Sequence, residues 1–184
     1  MRNLRLRIQP LFDNHIFIDG SGSSLQDIMG SNTIIRLSTL PTVELMRAVS
    51  RFTLQSVYNY MLAAGPTSHI RLFVVIDEAH KLSYDQTLTD LIREARKYGI
   101  AFILASQSIR DFDTVVFENM GTKIALQLEG ENARYMADNF GLFDKSERER
   151  AQQLLQGQQP MRALIRSNHF EPFRQVDIEP FYKK

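Results

Sequence analysis

Leu72-Phe73-Val74-Val75-Ile76-Asp77-Glu78-Ala79-His80 is the stretch whose reading decides the fold: five apolar residues run directly into two adjacent carboxylates. A strand of a parallel sheet reads as a continuous Val/Ile/Leu/Phe run, and open α/β sheets bind ligands just beyond the carboxyl ends of their strands. The run predicts a buried parallel strand with Asp77 and Glu78 at the sheet edge. A strand-end Asp can hold Mg²⁺, directly or through water, and an adjacent Glu can take a proton from an attacking water, the pattern called Walker B. The same letters also fit a buried strand whose acid caps the next helix or closes a turn, so the pair alone leaves both readings open.

The next thirty residues supply the register. Over residues 84–97, Leu88, Leu91, Ile92 and Ala95 recur at i, i+3, i+4 and i+7, while Asp85, Asp90, Arg93, Glu94, Arg96 and Lys97 are polar, which predicts an amphipathic helix. Gly99 comes after the last cations, as at a helix C-terminus, and Ile100-Ala101-Phe102-Ile103-Leu104-Ala105 is a second apolar run, ending in Ser106-Gln107-Ser108. The two runs bracket one β-α-β crossover, so Asp77 and Glu78 on one strand and Gln107 on its parallel neighbour are expected side by side at one edge. An amide there can touch a γ-phosphate or position a water.

These strings, LFVVIDEAHKL at 72–82 and LIREARKYGIAFILASQS at 91–108, resemble the HerA-FtsK group of RecA-like P-loop motor ATPases, which includes conjugative coupling proteins and type IV secretion ATPases. The resemblance spans roughly residues 25–178 and is tightest over 72–108. The DEAH letters are shared with DEAH-box helicases, but those carry Ser-Ala-Thr after their next motif strand, where this chain has Ala-Ser-Gln. The resemblance implies an α/β fold, a partial RecA-like and mostly parallel sheet flanked by helices, with ATP and Mg²⁺ as cofactors. It implies Asp77 as the metal-holding residue, Glu78 as activator of the hydrolytic water and Gln107 as a γ-phosphate sensor. Arg96 is similar to the arginine that coupling-protein relatives project into a neighbouring subunit's site. A homo-oligomeric ring and a DNA or secreted client are implied by the same likeness.

One motif of that family is missing. No Gly-Lys-Ser or Gly-Lys-Thr occurs, so there is no GxxxxGK[ST] phosphate loop. Gly20-Ser21-Gly22-Ser23-Ser24 lacks the lysine that reaches the phosphates and reads as a flexible turn. Gly121-Thr122-Lys123 has the letters in the wrong order and opens a strand. The chain is therefore expected to be the later part of a motor domain, without tight ATP binding or turnover by itself. The alternative is a non-catalytic binding or regulatory module derived from such an ATPase. In RecA-like folds the phosphate-loop strand lies between those matching 100–105 and 123–128, so a central sheet element is expected to be absent, its place taken by residues 15–18, a shifted strand or another chain.

Composition bounds the rest. With 184 residues, 43% of them hydrophobic, the chain has ample material for one globular core. A net charge of +1 gives no global electrostatic case for nucleic-acid binding. The absence of cysteine excludes disulfides and Cys-ligated zinc and fits a reducing cytoplasm; the histidines, at 15, 69, 80 and 169, are too scattered for a His-rich metal site. No apolar run approaches the roughly 18 residues of a membrane span. Arg2, Arg5 and Arg7 suggest a basic linker or first strand.

Elsewhere, residues 33–37 read as a short strand and Pro41 opens a long helix over 42–64, with Val43, Met46, Val49, Phe52, Leu54, Val57 and Met61 as its apolar stripe. Gly65-Pro66-Thr67 ends it. Residues 109–119 read as loop or short helix, 123–128 as a fourth strand, 131–139 and 145–155 as helices, and 161–166 with 173–178 as a β-hairpin with a long connection. The expected organisation is an N-terminal segment or linker at 1–32, a RecA-like core without its phosphate loop at 33–156, and a C-terminal hairpin and tail at 157–184. Asn119 reads as a turn former, Arg93, Arg96 and Lys97 on spacing alone as solvated helix-end cations, and His80 as a local hydrogen-bonding residue.

Overall fold

The computed structural model describes residues 28–83 and 86–180, with Gln9 and Asp13. The readings of residues 2–7, 15–18, 20–24 and 84–85 lie outside the described residues. Two compact units are present: residues 1–75 with 94–103, and residues 76–93 with 104–184.

The first unit is built around α1, Val43–Ala64. Its start is set by Thr42, whose hydroxyl accepts the Leu45 N–H at 3.2 Å, and its end by Gly65 at φ 72°. Arg71 donates to the carbonyls of Ala64 and Gly65 at 2.9 and 3.0 Å, placing a cation at the negative end of the helix dipole. Ser50, Leu54, Val57 and Met61 are the buried face, with Leu45 buried in the first turn. Two members of the expected stripe are corrected: Val43 and Phe52 are exposed. At 3.6 residues per turn Phe52 falls on the side opposite Leu54, Val57 and Met61, and Val43 sits at the open end.

Strand β1, Leu72–Ile76, pairs with β2, Ile100–Leu104, in a two-stranded sheet. The bond from Arg71 N–H to the Gly99 carbonyl, 2.7 Å, and that from Ala105 N–H to the Ile76 carbonyl, 2.9 Å, advance along both strands together, as parallel pairing requires. The crossover helix α2, Gln86–Glu94, passes into a 3₁₀ turn, Ala95–Tyr98, where one continuous helix was expected. Leu88, Leu91, Ile92 and Ala95 are all buried, in the predicted register. Gly99 is at φ 73°, and a Cβ there would collide with the His69 carbonyl oxygen, so this turn admits only glycine.

Two strand readings are corrected. Burial of β1 alternates rather than being continuous: Phe73 and Val75 are 58% and 65% exposed, and Ile103 of β2 is 51% exposed. One face of the pair is thus uncovered among the described residues. Residues 33–37 form no strand, because no described strand supplies a ladder for their backbone, and Ile34 is 93% exposed.

In the second unit a 3₁₀ turn, Ala79–Leu82, comes directly after the acidic pair. Beyond β2 come α3 (Thr114–Asn119), β3 (Thr122–Ala125), α4 (Gly130–Asn139), α5 (Lys145–Gln156), β4 (Arg162–Ser167) and β5 (Phe170–Asp177). Asp113 and Asp144 cap α3 and α5 by accepting the Val115 and Ser146 N–H groups. β3, β4 and β5 form an antiparallel sheet in that order, with Ile124 opposite Ile165 and Ala163 opposite Val176. The expected fourth strand is therefore shorter and belongs to the sheet of the hairpin, separate from β1 and β2. The connection is also shorter than expected: only Asn168 and His169 separate β4 from β5.

Helices α4 and α5 pack together, burying Ala133, Met136, Ala137, Ala151 and Leu155. Phe112, Phe117 and Tyr135 stack edge to face beside them, with centroids 6.3 and 5.9 Å apart. Buried Gln158 donates to the Ala125 and Arg162 carbonyls, satisfying two backbone acceptors at the sheet end. Lys123 on β3 has its pKa lowered, first by burial, then by the Arg166 guanidinium, with Glu118 acting the other way.

Candidate hydrolytic site

The site lies in the second unit, where the chain leaves β1 and β2. Past Ile76 the backbone turns sharply at Glu78, which adopts φ 51° and ψ 42°, a left-handed conformation uncommon for any residue but glycine, asparagine or aspartate. The turn is secured on both sides. The Asp77 carboxylate accepts the Glu78 N–H at 2.9 Å, and the Ala79 N–H donates to the Ala105 carbonyl at 2.9 Å. Pairing between the two segments thus continues beyond the strands and holds the residues after β1 against the residues after β2.

Two of the sequence-predicted residues come together there, with a third adjacent in the chain. Gln107 Nε2 donates to Glu78 Oε1 at 3.0 Å, and Asp77, exposed, precedes Glu78. The fourth, Arg96, belongs to the other unit, exposed on the 3₁₀ turn Ala95–Tyr98. Arg93 pairs with Asp90 at 3.9 Å, and Asn119 donates to the Val115 carbonyl one turn back in α3, both local helix-surface contacts.

Two residues gain importance. His80 Nδ1 lies 3.2 Å from Ser106 Oγ and 3.2 Å from Glu78 Oε2. Ser106 Oγ accepts the Ser108 N–H and donates to the Ser108 carbonyl, both at 3.1 Å, and Ser108 Oγ donates to Asp111 at 2.7 Å. A serine after an apolar run is a weak signal, because serine closes many turns; its contact with His80 exists only once the strands are paired.

The donors suit a hydrated cation better than a protein cage. Among the described residues no group of three or more His, Asp or Glu converges to hold a metal ion. Asp77 nevertheless offers one exposed carboxylate, which is what Mg²⁺ takes when its remaining ligands are water and phosphate oxygens. The phosphate-loop motif GxxxxGK[ST] does not occur in the sequence.

The profile of the type IV secretion-system coupling protein DNA-binding domain matches residues 24–176. The chain belongs to this family. Solved structures agree with it in fold. The genome packaging NTPase B204 of Sulfolobus turreted icosahedral virus 2, in complex with AMPPCP, superposes with a TM-score of 0.60 at 17% identity, over 86% of this chain and 73% of that one. B204, the DNA-packaging ATPase of Sulfolobus turreted icosahedral virus, gives 0.54 at 15% identity, over 72% and 62%. VirB4 of Thermoanaerobacter pseudethanolicus gives 0.56 at 20% identity, over 78% of this chain but only 39% of its own. No curated protein matches the chain by sequence. The expected likeness to conjugative coupling proteins holds in family, the solved structures agree in fold, and no helix among the described residues is long and apolar enough to cross a membrane.

Proposed function

We propose that this coupling-protein family member is the Walker B and sensor portion of an ATP-driven motor that moves DNA or a secreted protein, hydrolysing ATP when joined to a phosphate-loop segment. The observation that carries the proposal is the Gln107–Glu78 hydrogen bond at the ends of two parallel strands. It puts a proton acceptor and an amide side by side where α/β sheets bind their ligands. In support stand the family's description and the nucleotide analogue in the B204 complex.

Asp77 would hold Mg²⁺, and the ion when bound would supply charge neutralisation to the phosphates. Glu78 takes the proton of the attacking water at its carboxylate. Gln107 releases Glu78 to reach the γ-phosphate, so its amide reports whether that phosphate is present. Arg96 serves the nucleotide site of the next subunit in a ring.

The test is ATP hydrolysis by a protein carrying this segment and a GxxxxGK[ST] loop in one assembly, with and without DNA. Glu78→Gln lowers kcat by about 10²–10⁴-fold, the range for loss of a general base. Turnover unaffected by Glu78→Gln overturns the assignment. The second reading, a non-catalytic docking module, is favoured by the missing phosphate loop and gains if no such assembly hydrolyses ATP.

A further inference from the structure

His80 faces oxygens whose hydrogen-bonding roles are already taken. The Ser106 hydroxyl has a single proton, and the Ser108 carbonyl, 3.1 Å away, is an acceptor for it. The same oxygen accepts the Ser108 N–H. With the hydroxyl proton on the Ser108 carbonyl, Ser106 Oγ presents a lone pair toward the His80 ring, 3.2 Å away. The other neighbour of Nδ1 is Glu78 Oε2, also at 3.2 Å, and an ionised carboxylate only accepts.

An unprotonated Nδ1 would set its lone pair against both oxygens. It would also strand Glu78 Oε2, which is buried and makes no well-aligned hydrogen bond. Leaving such an atom without a donor or positive partner is costly in a partly buried site. We propose that His80 stands as its Nδ1–H tautomer and is a positioning residue for Glu78, its proton directed at Ser106 Oγ and facing the Glu78 carboxylate.

The inference rests on the reading of Glu78 as the water-activating base, and it explains how that side chain is held. Gln107 donates to Oε1, and the His80 ring lies 3.2 Å from Oε2, so the carboxylate has a hydrogen bond at one oxygen and a ring nitrogen beside the other. The ring also bridges the segment after β1 to the segment after β2, at the point where Glu78 carries an uncommon backbone conformation. Such conformations persist only where the surroundings over-determine them. No proton is transferred: it stays on Nδ1, and the lone pair lies on Nε2.

The experiment uses this chain without nucleotide. Long-range ¹H–¹⁵N spectra, recorded where the ring is neutral, should show His80 protonated at Nδ1; an Nε2–H signature overturns the proposal. Ser106→Ala should keep the Nδ1–H form, because Glu78 remains, whereas Glu78→Ala should reduce it. The Glu78 carboxyl ¹³C shift should move in His80→Leu and return toward wild type in His80→Asn, whose amide N–H stands near the place of Nδ1–H. Equal displacement in both variants also overturns the proposal. Failure of ATP hydrolysis leaves these signals untouched, so the two readings fail separately.

Discussion

Gln107 Nε2 donates to Glu78 Oε1 over 3.0 Å, joining residues 29 apart in sequence at the ends of two parallel strands. The contact exists because the β-α-β crossover is in register: Ala105 N–H bonds the Ile76 carbonyl, and Ala79 N–H bonds the Ala105 carbonyl. Glu78 and Gln107 are then the first long polar side chains beyond each strand. An amide on a carboxylate is a bond that a phosphate oxygen can replace, which is why the pair suits a site that must register an incoming anion.

The chain by itself should not bind Mg-ATP with micromolar affinity, because it contains no GxxxxGK[ST] loop. Isothermal titration is the measurement. Micromolar binding would reveal a different phosphate cradle, with Gly20-Ser21-Gly22-Ser23-Ser24 the first segment to mutate.

Glu78 sits at φ 51°, where a Cβ costs about 1–2 kcal/mol. Glu78→Gly and Glu78→Ala both lose the Gln107 contact but differ in that cost. Urea unfolding should therefore find the glycine variant more stable than the alanine variant by about 1 kcal/mol. Equal midpoints would mean that the turn relaxes at no expense.

Gly99 has the opposite vulnerability. At φ 73°, with the His69 carbonyl oxygen in the space a methyl group would need, Gly99→Ala forces both backbone strain and a clash with main chain. The expected loss is about 2 kcal/mol or more. A midpoint within about 0.5 kcal/mol of wild type, the size of an ordinary surface change, contradicts the tight turn.

Lys123 makes stability depend on pH in a definite direction. Burial and the Arg166 guanidinium lower its folded pKa, so between that value and the ordinary one the unfolded chain binds more protons than the folded chain. Its contribution is fully favourable above the ordinary lysine value and is lost as pH falls through the folded value. Lys123→Met should raise the urea midpoint at about pH 7 and flatten the rise toward about pH 10. An unchanged pH slope in the variant would assign that slope to other groups.

The β-α-β crossover was legible in the residues alone, because both of its signals are local. The apolar runs at 72–76 and 100–104 and the helical spacing of Leu88, Leu91, Ile92 and Ala95 each sit within one element, and Gly99 marks its own turn. Parallel pairing of those strands then brought Glu78 and Gln107 together, as spacing predicted. The likeness to the coupling-protein family was legible on the same residues. Other features depend on partners distant in sequence. Residues 33–37 have strand-forming letters but no ladder, and the apolar run of β1 cannot say that Phe73 and Val75 stay uncovered. The strand starting at Thr122 finds its partner in Arg162–Ser167, far along the chain, which no local pattern announces. His80 looks like any polar residue after a strand until the fold brings Ser106 to its ring, 26 positions along the chain. Local periodicity fixes which face of an element is apolar; only the assembled backbone fixes what that face, or a single ring nitrogen, meets.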